Sequence, residues 1–144
     1  PMNPELLSLA EDSDPKAVDL MMDFAHGPSG HFGGHPVPGL YHLNTGSMLV
    51  QSKEIKDTLG VDFRACENYT NGFEAAKKLD LPTLSILADK DRMCRLKDGK
   101  KLAAHIEGSE VHIIQNCGHM MLLEEADQTL AILKKFILEK FPIN

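Results

Sequence analysis

The chain has 144 residues, of which 42% are hydrophobic and 25% are charged, and this composition predicts a single globular domain. Its net charge of −6, without a basic stripe to neutralise phosphates, argues against nucleic acid and anionic membranes as partners. No apolar run approaches the roughly 18 residues of a membrane span, residues 1–9 do not resemble a signal peptide, and three cysteines without a C-x-x-C pair favour reduced thiols in the cytoplasm.

Residues 1–80 predict mainly helices and loops. Asn3-Pro4 and Asp14-Pro15 each place a capping residue before a proline, which is typical of a helix start. The second helix should run to about His26 and end at Gly27; its broad apolar side is that of a core helix, with a pocket-facing helix as the alternative. Further helical stretches are expected at Leu40 to Gln51, at Lys53 to Leu59 before a terminating Gly60, at Asp62 to Tyr69 and at Phe73 to Leu79.

A glycine- and proline-rich loop from Gly27 to Gly39 carries His31 and His35. Loops of this length are often lids or binding loops. The two histidines would need a helix to present both rings on one face, and a further ligand, to hold a metal. So many glycines disfavour that helix, and we expect loop histidines and no metal site.

Residues 81–144 predict the order strand, helix, strand, helix of an α/β protein. The expected bounds are Leu81 to Ala88, Leu96 to Ile106 followed by Gly108 as C-cap glycine, Glu110 to Gln115, and Asp127 to Phe141 with Asp127 as N-cap. A right-handed crossover makes the two strands parallel. The charged loops that follow them therefore meet at one sheet edge, where open α/β sheets build their sites.

Asp91 follows the first of these strands and His119 follows the second. A carboxylate and an imidazole in contact form an acid–base pair, in which the carboxylate fixes the tautomer and the imidazole moves the proton. His112 in the second strand and His105 near a helix end are expected to be ordinary surface histidines.

The segments Ala88-Asp89-Lys90-Asp91-Arg92-Met93 and Asn116-Cys117-Gly118-His119-Met120 resemble the last third of an α/β-hydrolase, with its Gly-x-x-Asp and Gly-His patterns. The separation of 28 residues between Asp91 and His119 is the one that this family uses, although Ala88 stands where the family usually has glycine. The resemblance implies that Asp91 is the acid and His119 the general base, while Asp89 is expected to be solvated. It also implies that residues 1–80 are the helical cap and that residues 81–144 are the C-terminal part of the core.

The nucleophile of that family lies on a G-x-S-x-G elbow ahead of the acid and the base. Gly27-Pro28-Ser29-Gly30 only approximates this motif and lacks a preceding strand, and Cys117 takes a position that the family uses for packing. Nor do we expect this chain to supply the oxyanion hole. The chain is therefore expected to supply the acid, the base and the cap, with a Ser, Cys or Asp nucleophile outside it.

The resemblance implies that the intact protein hydrolyses a small ester or a similar uncharged substrate without a cofactor. A non-catalytic binding or interaction protein with the same fold is the alternative. Methionine adapts to irregular apolar ligands, so methionines beside the two loops and one aromatic residue of the second helix are candidate substrate-binding residues, with core packing as their alternative role: Phe24, Met93, Met120 and Met121.

The strand from Thr83 to Ala88 carries no charge with which to protect an open sheet edge. Two parallel strands are also too few for an independently stable sheet. We therefore expect this strand to have a further neighbour, supplied by a missing N-terminal portion of the protein, by another copy of the chain or by a segment within residues 1–80.

Overall fold

The computed structural model describes residues 2–28 and 58–142. Its helices and strands are α1 (Pro4–Glu11), α2 (Lys16–Ala25), α3 (Thr58–Asn68), α4 (Gly72–Ala76), β1 (Leu84–Ala88), α5 (Leu96–Ala103), β2 (Glu110–Ile114), α6 (Met121–Glu124) and α7 (Ala126–Lys140). The expected helix from Leu40 to Gln51 lies outside the described residues, as do Ser29, His31 and His35.

Two compact units make up the described part of the chain. One contains residues 2–23 and 58–70, and the other contains residues 24–28 and 71–142. No helix in the described ranges combines the length and the apolar character that a membrane crossing requires.

The first unit is built on the packing of α1 against α3. Asn3 caps α1 as predicted, because its side chain accepts a hydrogen bond of 3.0 Å from the backbone N–H of Leu6. The prediction that Gly60 ends a helix is wrong, since α3 runs through it. A Cβ at Gly60 would lie 2.8 Å from the carbonyl oxygen of Ala10, so this glycine permits close helix approach and does not terminate the helix.

The second unit contains the predicted parallel pair of strands. β1 and β2 run parallel, with Leu84 opposite Glu110 and Ala88 opposite Ile114. Three buried residues at the ends of these strands form a cluster, against which half-buried apolar side chains pack; the cluster is Ala88, Ile114 and Cys117, and its neighbours are Ile86, Met121 and Ile132. The core therefore lies directly beneath the loops that follow the strands.

Two helix ends in this unit differ from the sequence prediction. α5 ends at Ala103 and the chain continues as turns, with the N–H of Ile106 donating to the Ala103 carbonyl, until Gly108 adopts the left-handed φ of 71°. The last helix begins at Ala126, so Asp127 lies in its first turn and is not the cap. A carboxylate in that turn still interacts favourably with the helix dipole.

Candidate active site

Asp91 and His119 form the centre of the candidate site. Oδ2 of Asp91 lies 2.9 Å from Nδ1 of His119, so the two predicted residues are in hydrogen-bond contact. The Asp91 side chain is 4% exposed, whereas that of His119 is 41% exposed. The carboxylate is thus held inside the protein and the imidazole reaches the surface.

The position of Asp91 is fixed by its own loop. Its Oδ1 accepts hydrogen bonds of 2.8 Å from the backbone N–H groups of Met93 and Cys94. A short acidic side chain that bonds the backbone two and three residues ahead is a common turn device, and it restricts the side-chain rotamer. One oxygen is occupied by the backbone, and the other is directed at His119.

A second carboxylate joins the same two loops. Oδ1 of Asp89 accepts a hydrogen bond of 3.4 Å from the N–H of Cys117, and the N–H of Lys90 donates to the Cys117 carbonyl at 3.0 Å. The expectation that Asp89 is simply solvated is therefore wrong, since its side chain is only 16% exposed. Asp89 contacts Cys117 and Asp91 contacts His119, in each case a residue 28 positions further along the chain. These two contacts align the loop after β1 with the loop after β2.

Asp91 also controls the protonation of His119. The hydrogen bond that the imidazole of His119 donates to Asp91 raises the pKa of His119 above its ordinary value. Partial burial of the imidazole lowers this pKa, and the negative charges of Asp91 and Glu124 raise it further. With a proton on Nδ1 donated to Asp91, Nε2 is the nitrogen that can accept a proton. This arrangement leaves Nε2 of an oriented imidazole at the surface of the unit.

The loop that carries His119 is anchored to the last residue of α2 and to the residues that follow this helix. The carbonyl oxygen of Ala25 accepts hydrogen bonds from the N–H of His119 at 2.7 Å and of Met120 at 3.2 Å. Oε2 of Glu124 accepts from the N–H of Gly27 at 2.9 Å and from that of Gly118 at 3.1 Å. Neither Glu124 nor these glycine amides was predicted from the sequence, because backbone donors gathered by folding leave no residue pattern.

The four candidate substrate-binding residues lie in different surroundings. Phe24 is half-buried, with Cζ of Arg92 4.8 Å from its ring centroid. Met93 is 39% exposed, and Met120 is half-buried beside His119. Met121 packs against the cluster of Ala88, Ile114 and Cys117, which is a core contact. Their contact with a substrate stays a prediction.

Other chemical candidates lie apart from this pair or are chemically unsuited. Burial, with neighbouring carboxylates, raises the pKa of Cys117 to about 12, so this thiol is not a nucleophile at neutral pH. Nδ1 of His105 lies 2.7 Å from the Lys101 carbonyl, and its ring stacks on Phe73. Within the described ranges, no group of His, Cys, Asp and Glu side chains is arranged to hold a metal ion.

Comparisons with known proteins bear on the fold of the chain. No protein-family model matches the sequence. Proline iminopeptidase of Lactobacillus crispatus (strain ST1) is 33% identical over 64 residues, which is 44% of this chain and 22% of that protein. The structure of a thermophilic esterase superposes on this chain with a TM-score of 0.73 at 25% sequence identity. The superposition covers 97% of this chain and 52% of the esterase chain. The 2-hydroxy-6-oxo-6-phenylhexa-2,4-dienoate hydrolase of Rhodococcus sp. strain RHA1 gives a TM-score of 0.72 at 19% identity, covering 95% of this chain and 51% of its own.

The parallel strands, the loops that follow them and these similarities show that the chain has the α/β-hydrolase fold. Its described part corresponds to the C-terminal half of the fold, with the last two strands and their helices. The chain spans about half the length of these solved structures and about a fifth of the curated relatives it matches.

Proposed function

We propose that Asp91 and His119 are the acid and the general base of a hydrolase triad whose serine nucleophile lies on a polypeptide segment outside this chain. The observation that carries the proposal is the hydrogen bond of 2.9 Å between a buried carboxylate and an exposed imidazole. In the intact enzyme, the serine attacks an acyl carbonyl while Nε2 of His119 accepts its proton. Asp91 stabilises the resulting imidazolium, and His119 then delivers the proton to the leaving group.

The proposed substrate is a small ester or a similar uncharged compound. The fold-level similarity to a thermophilic esterase supports this class of substrate. The half-buried Phe24 and Met120 and the exposed Met93 offer apolar and adaptable surface near His119. The Rhodococcus hydrolase acts on a dienoate by its name, so a dienoate is the second substrate class to test.

The test combines this chain with the N-terminal half of the thermophilic esterase, which carries the part of the fold that this chain does not match. The two segments are co-expressed, and hydrolysis of p-nitrophenyl acetate is measured. We expect saturable activity that falls by about 10³-fold or more in His119→Ala and in Asp91→Asn. His112→Ala is the matched control, because His112 lies in β2 and has no role in the proposed reaction.

Two results of this experiment would contradict the proposal. Activity that persists in His119→Ala would exclude this histidine as the base. A folded complex that binds a p-nitrophenyl ester but releases no product would favour a non-catalytic binding protein of the same fold.

By itself, this chain should not hydrolyse p-nitrophenyl esters faster than free imidazole does. The proposed nucleophile and oxyanion hole lie outside it, and these groups supply much of the rate. The measurement is the initial rate at several protein concentrations beside matched imidazole. Robust activity that disappears in Ser29→Ala would show that the nucleophile is in this chain after all.

A further inference from the structure

Glu124 lies at the end of α6, five positions after His119 in the chain. One of its carboxylate oxygens accepts two backbone hydrogen bonds, from Gly27 at 2.9 Å and from Gly118 at 3.1 Å. These two amides are far apart in sequence, since Gly27 follows α2 and Gly118 immediately precedes His119. The carboxylate therefore joins two separate segments beside the candidate base.

We infer that Glu124 is a positioning residue for His119. Its carboxylate accepts hydrogen bonds from the Gly118 amide and from Gly27 after α2, and so fixes the backbone from which the imidazole reaches Asp91. This inference rests on the proposed function of His119. Consecutive amides are held in this way, because the N–H of Gly118 donates to Glu124 and the N–H of His119 donates to the Ala25 carbonyl. The two consecutive peptide groups that lead into His119 are thus both held by hydrogen bonds.

The glycines at both contacts explain why a carboxylate can serve two amides at once. A Cβ on Gly27 would lie 2.7 Å from Oε2 of Glu124 and 2.8 Å from the carbonyl carbon of Cys117. A Cβ on Gly118 would lie 2.6 Å from the carbonyl carbon of His26. Only the absence of both side chains allows the two backbones to approach closely enough to share one oxygen acceptor.

The short helix that carries Glu124 is itself held in place. The hydroxyl of Thr129 in α7 is buried between two carbonyl oxygens, that of Met121 at the start of α6 at 3.1 Å and that of Glu125, which joins α6 to α7, at 2.8 Å. Its single proton is shared between these two acceptors. A four-residue helix has little stability of its own. The buried Thr129 therefore connects the position of Glu124 to the long helix α7.

The charge of Glu124 adds an effect that a neutral acceptor would lack. Hydrogen bonds from backbone N–H groups to a carboxylate are stronger than those to a neutral oxygen. Asp91, from the loop after β1, and Glu124, from α6, are the acidic groups whose charges raise the pKa of His119. Glu124 thus combines an anchoring contact with an electrostatic one.

The experiment compares Glu124→Gln, which retains an acceptor without the charge, with Glu124→Ala, which removes both. Glu125→Gln is the matched control for loss of one neighbouring charge. The readouts, on the chain as it stands, are the NMR titration of His119, the signal of its Nδ1 proton, and hydrogen exchange of the Gly27 and Gly118 amides. Circular dichroism checks that each variant is folded.

We expect Glu124→Ala to accelerate exchange of Gly118 by about tenfold or more, to broaden or remove the Nδ1 proton signal and to lower the pKa of His119. Glu124→Gln should keep the Nδ1 signal while lowering the pKa by a smaller amount. If Glu124→Ala does not fold, the Gly118 amide of Glu124→Gln decides the question: its exchange should be faster than in the parent chain, because a neutral oxygen is a weaker acceptor, and an equal rate would contradict the inference.

A folded Glu124→Ala variant in which the Nδ1 signal of His119 and the exchange rate of the Gly118 amide are both unchanged would overturn the inference. None of these readouts requires a nucleophile or an ester. An inactive complex with the esterase segment would therefore refute the proposed function and leave this result intact.

Discussion

Asp91 is expected to make the stability of the chain depend on pH through His119. In the folded state, the pKa of His119 is raised above the 6.5 of an unperturbed side chain, chiefly because its imidazole donates a hydrogen bond to Asp91. A group with a raised folded pKa contributes stability that is fully present below its unfolded pKa and is lost as pH rises through its folded pKa. Urea unfolding midpoints should therefore decrease from about pH 6 upward through the folded pKa.

Asp91→Asn should flatten that part of the profile and lower the pKa of His119, because the charged partner is removed. The comparison requires urea titrations of the parent chain and of Asp91→Asn at closely spaced pH values. His112→Ala serves as the control for loss of a histidine elsewhere in the chain. Parallel profiles for the parent and Asp91→Asn would show that the pair has no linkage to folding.

The close contact between Gly27 and Gly118 should be costly to disturb. In Gly118→Ala, the new methyl group would meet backbone atoms of His26 and Gly27, which are fixed by their neighbours. We expect the free energy of unfolding to fall by about 1–3 kcal/mol.

Gly99→Ala is the matched substitution, since its Cβ would lie 2.6 Å from Cδ2 of Leu87, a side chain that can move. Alanine also gains about 1 kcal/mol over glycine within a helix, so Gly99→Ala should remain within about 1 kcal/mol of the parent. Urea unfolding of both variants measures the difference. Equal effects would mean that the backbone contact at Gly118 relaxes easily.

Some residues of the candidate site could be predicted from the sequence, and others could not. Asp91 and His119 were predictable because each follows a strand, and parallel strands bring their ends together. The roles of Asp89 and Glu124 were not predictable, since both bind backbone amides. Backbone donors are the same in every residue, and only the folded path of the chain decides which of them converge.

Helix α7 shows how burial differs between two aromatic residues near its end. Phe136 is 9% exposed and Phe141 is 56% exposed. Phe136→Ala should lower the free energy of unfolding by about 3 kcal/mol, the usual cost of removing a buried aromatic ring. Phe141→Ala should cost less than about 1 kcal/mol. Urea unfolding measures the cost of both substitutions. A similar cost for the two would contradict the difference in burial between Phe136 and Phe141.

The elements themselves were predictable where periodicity and boundaries agreed. β1 and β2 are short apolar runs bounded by Pro82 or by charges, and both were confirmed. Gly60 was misread because glycine both breaks helices and permits their close contact, and only tertiary packing decides between the two. Helix α6 spans too few residues to produce a hydrophobic period.

At the scale of the whole molecule, two surfaces in the described ranges lead us to expect that this chain associates with another polypeptide segment. Among the described residues, β1 pairs with β2 alone, so its other edge has no described strand beside it. On α7 and at the residue that ends it, four large apolar side chains at helical spacing are 39–62% exposed: Leu130, Leu133, Ile137 and Phe141. An uncharged strand edge and a contiguous apolar stripe are both surfaces that isolated proteins usually protect or cover.

We propose that the segment beside β1 is the N-terminal portion of the fold or a second copy of the chain, and we expect the isolated chain to be associated at low micromolar concentration. Sedimentation velocity and light scattering measure the mass, and hydrogen exchange of the β1 amides reports whether that edge is paired. A second copy predicts a dimer whose β1 amides become less protected on dilution, whereas a retained segment predicts protection that is independent of concentration. A monodisperse monomer that retains slow exchange along β1, without any strand beside its far edge, would show that this two-stranded sheet is stable alone and that the association argument is wrong.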